Sequence, residues 1–343
     1  MKLDMHCHTK EGSPDASVPI GEYIQLLKEQ GFDGMLVTDH DSYKGYRYYE
    51  KHKDEMPRDF LVLKGIEYDT FDAGHIIVIM PKDVHLKILS HRGLPLRRLI
   101  RIVHQYGGIL GPAHPCGERF LSTFSTGIYK WDRHVMRKFD FLEGYNAAEE
   151  DEVNEEAVKI AEAYEKPMTG GSDAHKSRAI GLAYTILQEE IKDEDDLIAY
   201  LKAKKPTECG GSHYGGTLKE KMGIFGKVLT YSFFPYNKAG ALINVRKRHT
   251  DLTHMQRELE RSFNEEKRTL ERNFGKYKLE REKKFQKMKD ELEEMKQKRR
   301  EEEDEKLRTL KEEFDADIKK HREAVEKNIE KKRKELETVF SRK

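Results

Sequence analysis

"KLDMHCHT", residues 2–9, is the stretch on which the fold turns. It places His6 and His8 one residue apart, with Cys7 between them and Asp4 behind. On a strand, residues i and i+2 point to one side, so both imidazoles aim at a common point. A surface strand carries such a pair by accident often enough that these few residues decide nothing alone. The other donors must come from elsewhere in the chain.

Downstream, short apolar runs alternate with amphipathic ones. The strand candidates are GMLVTDH, FLVLKGIEY, GHIIVIM, GGILGPAHP, FDFLEGYN, PMTGGSDAH and LAYTIL. Helical patterns lie between several of them, among them PIGEYIQLLKEQG, LPLRRLIRIVHQYGG, DEVNEEAVKIAEAYEK and DEDDLIAYLKAKK. This alternation predicts an α/β fold with a parallel sheet, open or closed into a barrel. Several runs end on ionisable groups: Asp39, His40 and Asp41, then Glu67, then His114 between two prolines, then Asp173 and His175. His75 differs, because it opens its run. One strand-end aspartate ordinarily caps a helix or forms a turn. A whole series of such endings, rich in histidine, instead matches the place where barrel active sites are built. Histidine and carboxylate without matched cysteines suit Zn, Mn or Fe better than a structural thiolate cage. Two or three ions could share Glu67 or a water between them.

Net charge is +1, so no global field draws the chain to nucleic acid or to a membrane. Cys7, Cys116 and Cys209 are odd in number and far apart, which predicts a reducing, cytoplasmic setting. The N-terminus lacks a signal-peptide pattern, and no long uncharged apolar run predicts a bilayer span.

The composition changes near residue 245. Residues 251–343 hold 29 Lys+Arg and 26 Asp+Glu; no proline follows Pro235, and Gly275 is the only glycine after Gly240. The segment reads as one long helix with a period of eleven. Leu252, Phe263, Phe274, Phe285, Lys296, Leu307, Ile318, Ile329 and Phe340 form one row, and Leu259, Leu270, Arg281, Leu292, Glu303, Phe314, Val325 and Leu336 a second. Eleven residues over three turns keep both rows on one face of a nearly straight helix. Apolar rows left in water predict a partner helix, hence a homo-oligomer. A solitary helix held by i,i+4 ion pairs is the alternative.

Six stretches, DMHCHT, VTDHD, GIEYDT, GHIIV, GPAHP and GGSDAH, stand in a familiar order. Through them, residues 1 to about 235 resemble the PHP (polymerase and histidinol phosphatase) family of metal-dependent phosphoesterases. The resemblance implies a distorted (β/α)7 TIM-like barrel over residues 1–205 and a family-type C-terminal extension over 206–245. The charged helix, 246–343, lies outside the family pattern. Carried over by position, the resemblance implies that His6, His8, Glu67 and Asp173 hold one ion and that Glu67, His75 and His114 hold a second. Asp15, His40 and His175 hold a third, with Glu11 and Ser13 as nearby alternatives to Asp15. Glu67, His114 and Asp173 are the expected catalytic residues. A metal-activated water needs no protein nucleophile, so Cys7 is expected to face away and Asp4 to orient an imidazole from behind. Arg119 and Arg178 are candidates for contact with a substrate phosphate. Residues 222–236, MGIFGKVLTYSFFPY, read as a docking helix. The expected substrate is a small phosphorylated metabolite or nucleotide; the alternatives are a nuclease acting on DNA or RNA ends and a silent scaffold bearing an oligomerising helix.

Overall fold

The computed structural model describes residues 1–117, 121–125, 132–214, 235 and 238–340. In chain order the elements are β1 (Lys2–Cys7), α1 (Ile20–Glu29), β2 (Gly34–Val37), α2 (Lys44–His52), β3 (Leu61–Lys64), β4 (Ile66–Asp69), β5 (His75–Ile79), α3 (Leu96–Gln105), β6 (Ile109–Pro112), α4 (Arg133–Met136), β7 (Leu142–Asn146), α5 (Asp151–Ala163), β8 (Met168–Gly171), β9 (Ala183–Leu187), α6 (Glu194–Lys202), β10 (Thr207–Gly211) and α7 (Val245–Phe340).

The fold is α/β, but the expected closed barrel of parallel strands is not what the hydrogen bonding gives. Among the described residues the ladders fall into three sheets, ordered β10-β9-β1-β2-β3, β4-β5-β6 and β7-β8. The pairs β1–β2, β2–β3 and β7–β8 are parallel. The pairs β4–β5, β5–β6, β1–β9 and β9–β10 are antiparallel. Chain length explains the first departure. Thr70–Gly74 is too short to carry β4 back for a parallel crossover, which needs a dozen or more residues, so the chain reverses as a hairpin. Isolated backbone bonds link the sheets: Asp140 N to Leu110 O at 2.9 Å, and Asp173 N to His6 O at 2.8 Å. Leu3, Leu36, Leu63, Ile77 and Ile109, from the first two sheets, are buried in one shared cluster with Phe141, which immediately precedes β7.

Two bends re-aim side chains. The run FLVLKGIEY breaks at Gly65 into β3 and β4. The β1–β2 register shifts between Asp4 and Cys7, a bulge of the kind that redirects residues beside active sites.

Contacts divide the chain into two compact units, Met1–Gln256 and Arg257–Lys343. The first turns of α7 therefore belong to the first unit. Arg248 is buried there and donates to the carbonyls of Arg92 and Ala241. Leu252 and Met255 pack on the cluster that holds Ile76, Leu99 and Leu110. The second unit is the rest of one unbroken helix, free of proline and rich in helix-favouring Glu, Lys, Arg and Leu. Its Phe263, Phe274 and Phe285 are each about two-thirds exposed.

Candidate metal centre

Eight of the nine expected ligands converge around the carboxylates of Glu67 and Asp173, and Asp15 closes the outer edge. β1 delivers His6, and His8 follows just beyond it; both are fully buried. Their Nε2 atoms lie 3.1 Å apart. His8 Nε2 is 3.1 Å from Asp173 Oδ1 and 3.4 Å from Glu67 Oε2; His6 Nε2 is 3.6 Å and 3.5 Å from Asp173 Oδ1 and Glu67 Oε1. Glu67 Oε1 also stands 2.9 Å from His75 Nδ1 and 3.1 Å from His114 Nε2. Its other oxygen, Oε2, stands 2.9 Å from His40 Nδ1. Asp15, 42% exposed, sets one oxygen 3.5 Å from His40 Nε2 and 3.3 Å from His175 Nε2. The antiparallel hairpin explains how His75 reaches this end of the sheet: its backbone pairs with Asp69, so the start of β5 lies beside the finish of β4.

The imidazoles are held from behind. His6 Nδ1 lies 2.9 Å from Glu143 Oε1, His8 Nδ1 3.2 Å from Ser13 Oγ, His114 Nδ1 3.1 Å from Ser122 Oγ and His175 Nδ1 3.0 Å from the Asp173 carbonyl. Each contact leaves Nε2 to face the centre, the arrangement that orients metal-ligating histidines. Glu67 Oε2 and His75 Nδ1 are buried without any hydrogen-bond partner. Short, unaligned contacts among lone-pair donors fit a cation between them, and three groups lie close enough to share one: His6, His8 and Glu67; His40, Glu67 and His75; His8, His40 and His175. His8 thus joins the outer group beside the expected Asp15, and His40 joins Glu67 and His75.

The electrostatics follow from crowding. Burial alone would raise Glu67, but His75, His40 and His6 hold it well below the usual carboxylate range. Asp173 is likewise held low against burial, chiefly by His6 and His8. Burial opposes charge on His6, yet Asp173, Glu143 and Glu67 outweigh it and keep the ring well above its ordinary value. His114 is pushed to about 9 by its bond to Glu67, against burial. His8 goes the other way, down to about 3, through burial and the neighbouring His175 and His40. Backbone strain gathers at the same place: His114 (φ 29°) and Asp173 (φ 51°) adopt positive φ, as does Asp41 (φ 46°) beside His40.

One expectation changes. Asp4 touches no imidazole; past the bulge it accepts from Ser172 N and Oγ and from the His6 amide. Glu143 orients His6 instead, and its second oxygen accepts from the His114 amide at 2.5 Å and from Asn146, which also reaches Asp173 at 3.2 Å. Ser13 stands behind His8, and Glu11 accepts from the Ile20 amide, which leaves Asp15 as the carboxylate at the edge. Cys7 does face away, buried with Val18, Tyr23 and Val37. Arg178 is exposed on the short turn Ser177–Ala179 after His175. Arg119 and most of 222–236 lie outside the described residues.

Residues 151–206, which include Asp173 and His175, match the family model described as PHP-associated. That match joins nine motif residues gathered in one cluster. Over that stretch the chain is similar to the PHP-associated family. The chain is also 32% identical over 73 residues to the PolC-type DNA polymerase III of Lacticaseibacillus paracasei, a match covering 21% of this chain and 5% of the polymerase. Solved structures similar to it include a two-domain protein containing a predicted PHP-like metal-dependent phosphoesterase from Bacteroides vulgatus, at 16% identity and TM-score 0.46 over 62% of this chain and 65% of that one. Another is a lesion-specific endonuclease from Pyrococcus furiosus, at 16% identity and TM-score 0.45 over 61% and 57%. Among the described residues, no helix of this chain is long and apolar enough to cross a membrane.

Proposed function

We propose that this chain is a metal-dependent phosphoesterase that hydrolyses a small phosphorylated metabolite or nucleotide. One observation carries the reading: three imidazoles, those of His6, His8 and His114, each fixed from behind through Nδ1, turn Nε2 toward buried Glu67 and Asp173. A group this crowded with donors is unfavourable unless cations occupy it. His6, His8, Glu67 and Asp173 would hold one ion; Glu67 with His75 and His114, and with His40, a second; Asp15, His40 and His175, beside His8, a third. Zn, Mn or Fe bound there supplies charge neutralisation on the ester oxygens and activation of water. The protein's part is positional. Glu67 spreads its two oxygens between the groups, Asp173 closes the first, and Glu143 with Asn146 keeps His6, His114 and Asp173 in place. Arg178 and Arg119 are the proposed contacts for the anionic part of the substrate. The same reading takes the three sheets as arcs of the family's distorted barrel over residues 1–205, with 206–245 as its extension, and places the chain in the cytoplasm.

Residues 246–343 are proposed as a homo-oligomerising helix. From Leu259 to Ile329 its apolar row residues are exposed, and its near balance of 29 basic and 26 acidic residues over 251–343 does not make it a nucleic-acid track. The test of the catalytic reading is phosphate release from mononucleotides, bisphosphates and sugar phosphates in the presence of Mn²⁺ or Zn²⁺, beside cleavage of labelled oligonucleotides. Turnover of small esters, lost in His8→Ala and Asp173→Ala together with bound metal, is the expected result. Turnover confined to oligonucleotides would replace it with the nuclease reading. No bound metal and no turnover of either class would leave the barrel a scaffold.

A further inference from the structure

The helix-mediated association proposed above leaves open which way two copies run, and the charged residues that interrupt the seam bear on it. Resting on that reading, we propose that α7 pairs with α7 of a second copy in antiparallel fashion, centred between Arg299 and Arg300.

The first apolar row is broken by Lys296, the second by Arg281 and Glu303. Two helices laid parallel and in register set every seam residue against its own copy. Lys296 then meets Lys296, Glu303 meets Glu303 and Arg281 meets Arg281, three layers of like charge within the interface. Reversing one helix about the point between Arg299 and Arg300 opposes residues equally distant from that point. Every member of the second row then faces a member of the first. Phe285 meets Phe314, Leu292 meets Leu307, and Lys296 of each helix meets Glu303 of its partner, twice by symmetry. Arg281 alone faces an apolar residue, and its long stem can carry the guanidinium to the rim. Sliding the antiparallel pair by eleven residues keeps the rows opposed but sets Lys296 against Leu292 or Phe314, unpaired. Only the centred register satisfies both the apolar rows and the two charges.

Phe285, Leu307 and Phe314 are each more than 60% exposed, and the described helix continues unbroken from Val245 to Phe340 on both sides of the centre. One observation opposes the arrangement. A row of cations at the same eleven-residue spacing, from Lys267 to Arg333, flanks the seam, and antiparallel pairing brings the two rows alongside. Each of these cations is followed four residues on by a carboxylate of its own helix, from Glu271 to Glu337, and all lie at the solvated edge where salt screens them. The like charges of the parallel arrangement fall within the seam, where neither help is at hand, so the antiparallel pair is preferred.

The experiment uses the full chain with Leu292→Cys or Leu307→Cys, oxidised separately and after co-expression, with the unsubstituted protein as the background for its own three cysteines. A covalent dimer formed only by the co-expressed pair is the expected result. Cross-linking of each variant alone overturns the antiparallel arrangement and indicates a parallel one. A dimer by light scattering that cross-links in neither setting also overturns it. A monomer at tens of micromolar overturns both this inference and the association beneath it. As a second readout, Lys296→Glu is expected to weaken the dimer at least tenfold, and Lys296→Glu with Glu303→Lys to restore it. Failure of the double variant to recover sinks the proposed pairing.

Discussion

Glu67 is the residue on which the centre depends, since its two oxygens reach five imidazoles at 2.9–3.5 Å. Glu67→Gln keeps its volume but removes the charge that draws cations in. It is expected to strip bound metal and lower turnover by about 10³-fold, the equivalent of several kcal/mol of charge stabilisation. Glu143→Gln tests the supporting shell instead: about 10–100-fold in metal affinity with an unchanged melting midpoint, read by competition with a chelator. The ring charges make a pH prediction of definite sign. His6, His40, His114 and His175 are held above the ordinary imidazole value by the facing carboxylates, which outweigh burial. In the metal-free protein each therefore stabilises the fold below about pH 6.5, and that help fades as pH rises through the folded value, about 9 for His114. His8, depressed to about 3, costs stability below about pH 6.5, but it is one ring against four. Glu67 and Asp173, held low, stabilise above roughly pH 4.5 and lose that contribution on acidification. The melting midpoint of metal-free protein should thus peak near pH 5–6.5 and fall toward pH 9. With metal bound the trend should reverse, because the ions compete with protons for the same atoms. A metal-free midpoint that climbs steadily from pH 6 to 9 would refute this account.

At the scale of elements, β1 and β8 approach so closely that a Cβ on Gly171 would lie 2.3 Å from that of His6. Gly171→Ala is therefore expected to cost about 1–3 kcal/mol in urea unfolding, as over-packing does, and to displace His6 enough to lower metal content. A variant with wild-type midpoint and full metal would show that the two strands can part. The same elements show what the sequence could and could not disclose. The HxH of β1, the strand-end His40, Glu67, His114 and Asp173, and the spacing that joins them were legible, because period-two geometry and strand termini are local properties. The direction of β5 was less so: His75 at the start of its run looked anomalous until the short hairpin was seen to reverse it. Glu143 was missed although its strand was recognised, for a single glutamate within FDFLEGYN reads as a solvent-facing position. Its burial depends on β8 and His6 alongside, contacts separated by 137 residues in the case of His6. Asp4 failed for a related reason, since its partner Ser172 lies 168 residues away and the β1 register shifts between Asp4 and Cys7.

For the molecule as a whole, the first compact unit ends at Gln256, well inside α7. A chain terminated after Gln256 is expected to melt with the full-length protein. One terminated after Asn244 loses Arg248, Leu252 and Met255 from the body and is expected to melt lower, by several degrees for a loss of about 2–3 kcal/mol in a domain of this size. Equal midpoints would mean that those turns add nothing to the fold.

The eleven-residue rows of α7 also make the helix a ruler with a fixed graduation. At roughly 100° per residue, removing eleven residues turns the downstream part of the helix by only about 20° relative to the upstream part, whereas removing six turns it by about 120°. Length in this segment can therefore change only by near-whole numbers of turns, such as about seven, eleven or eighteen residues, without splitting the stripe into two faces. A deletion of the same size on each side of Arg299 and Arg300 would shorten the reach of a paired molecule while leaving its midpoint intact.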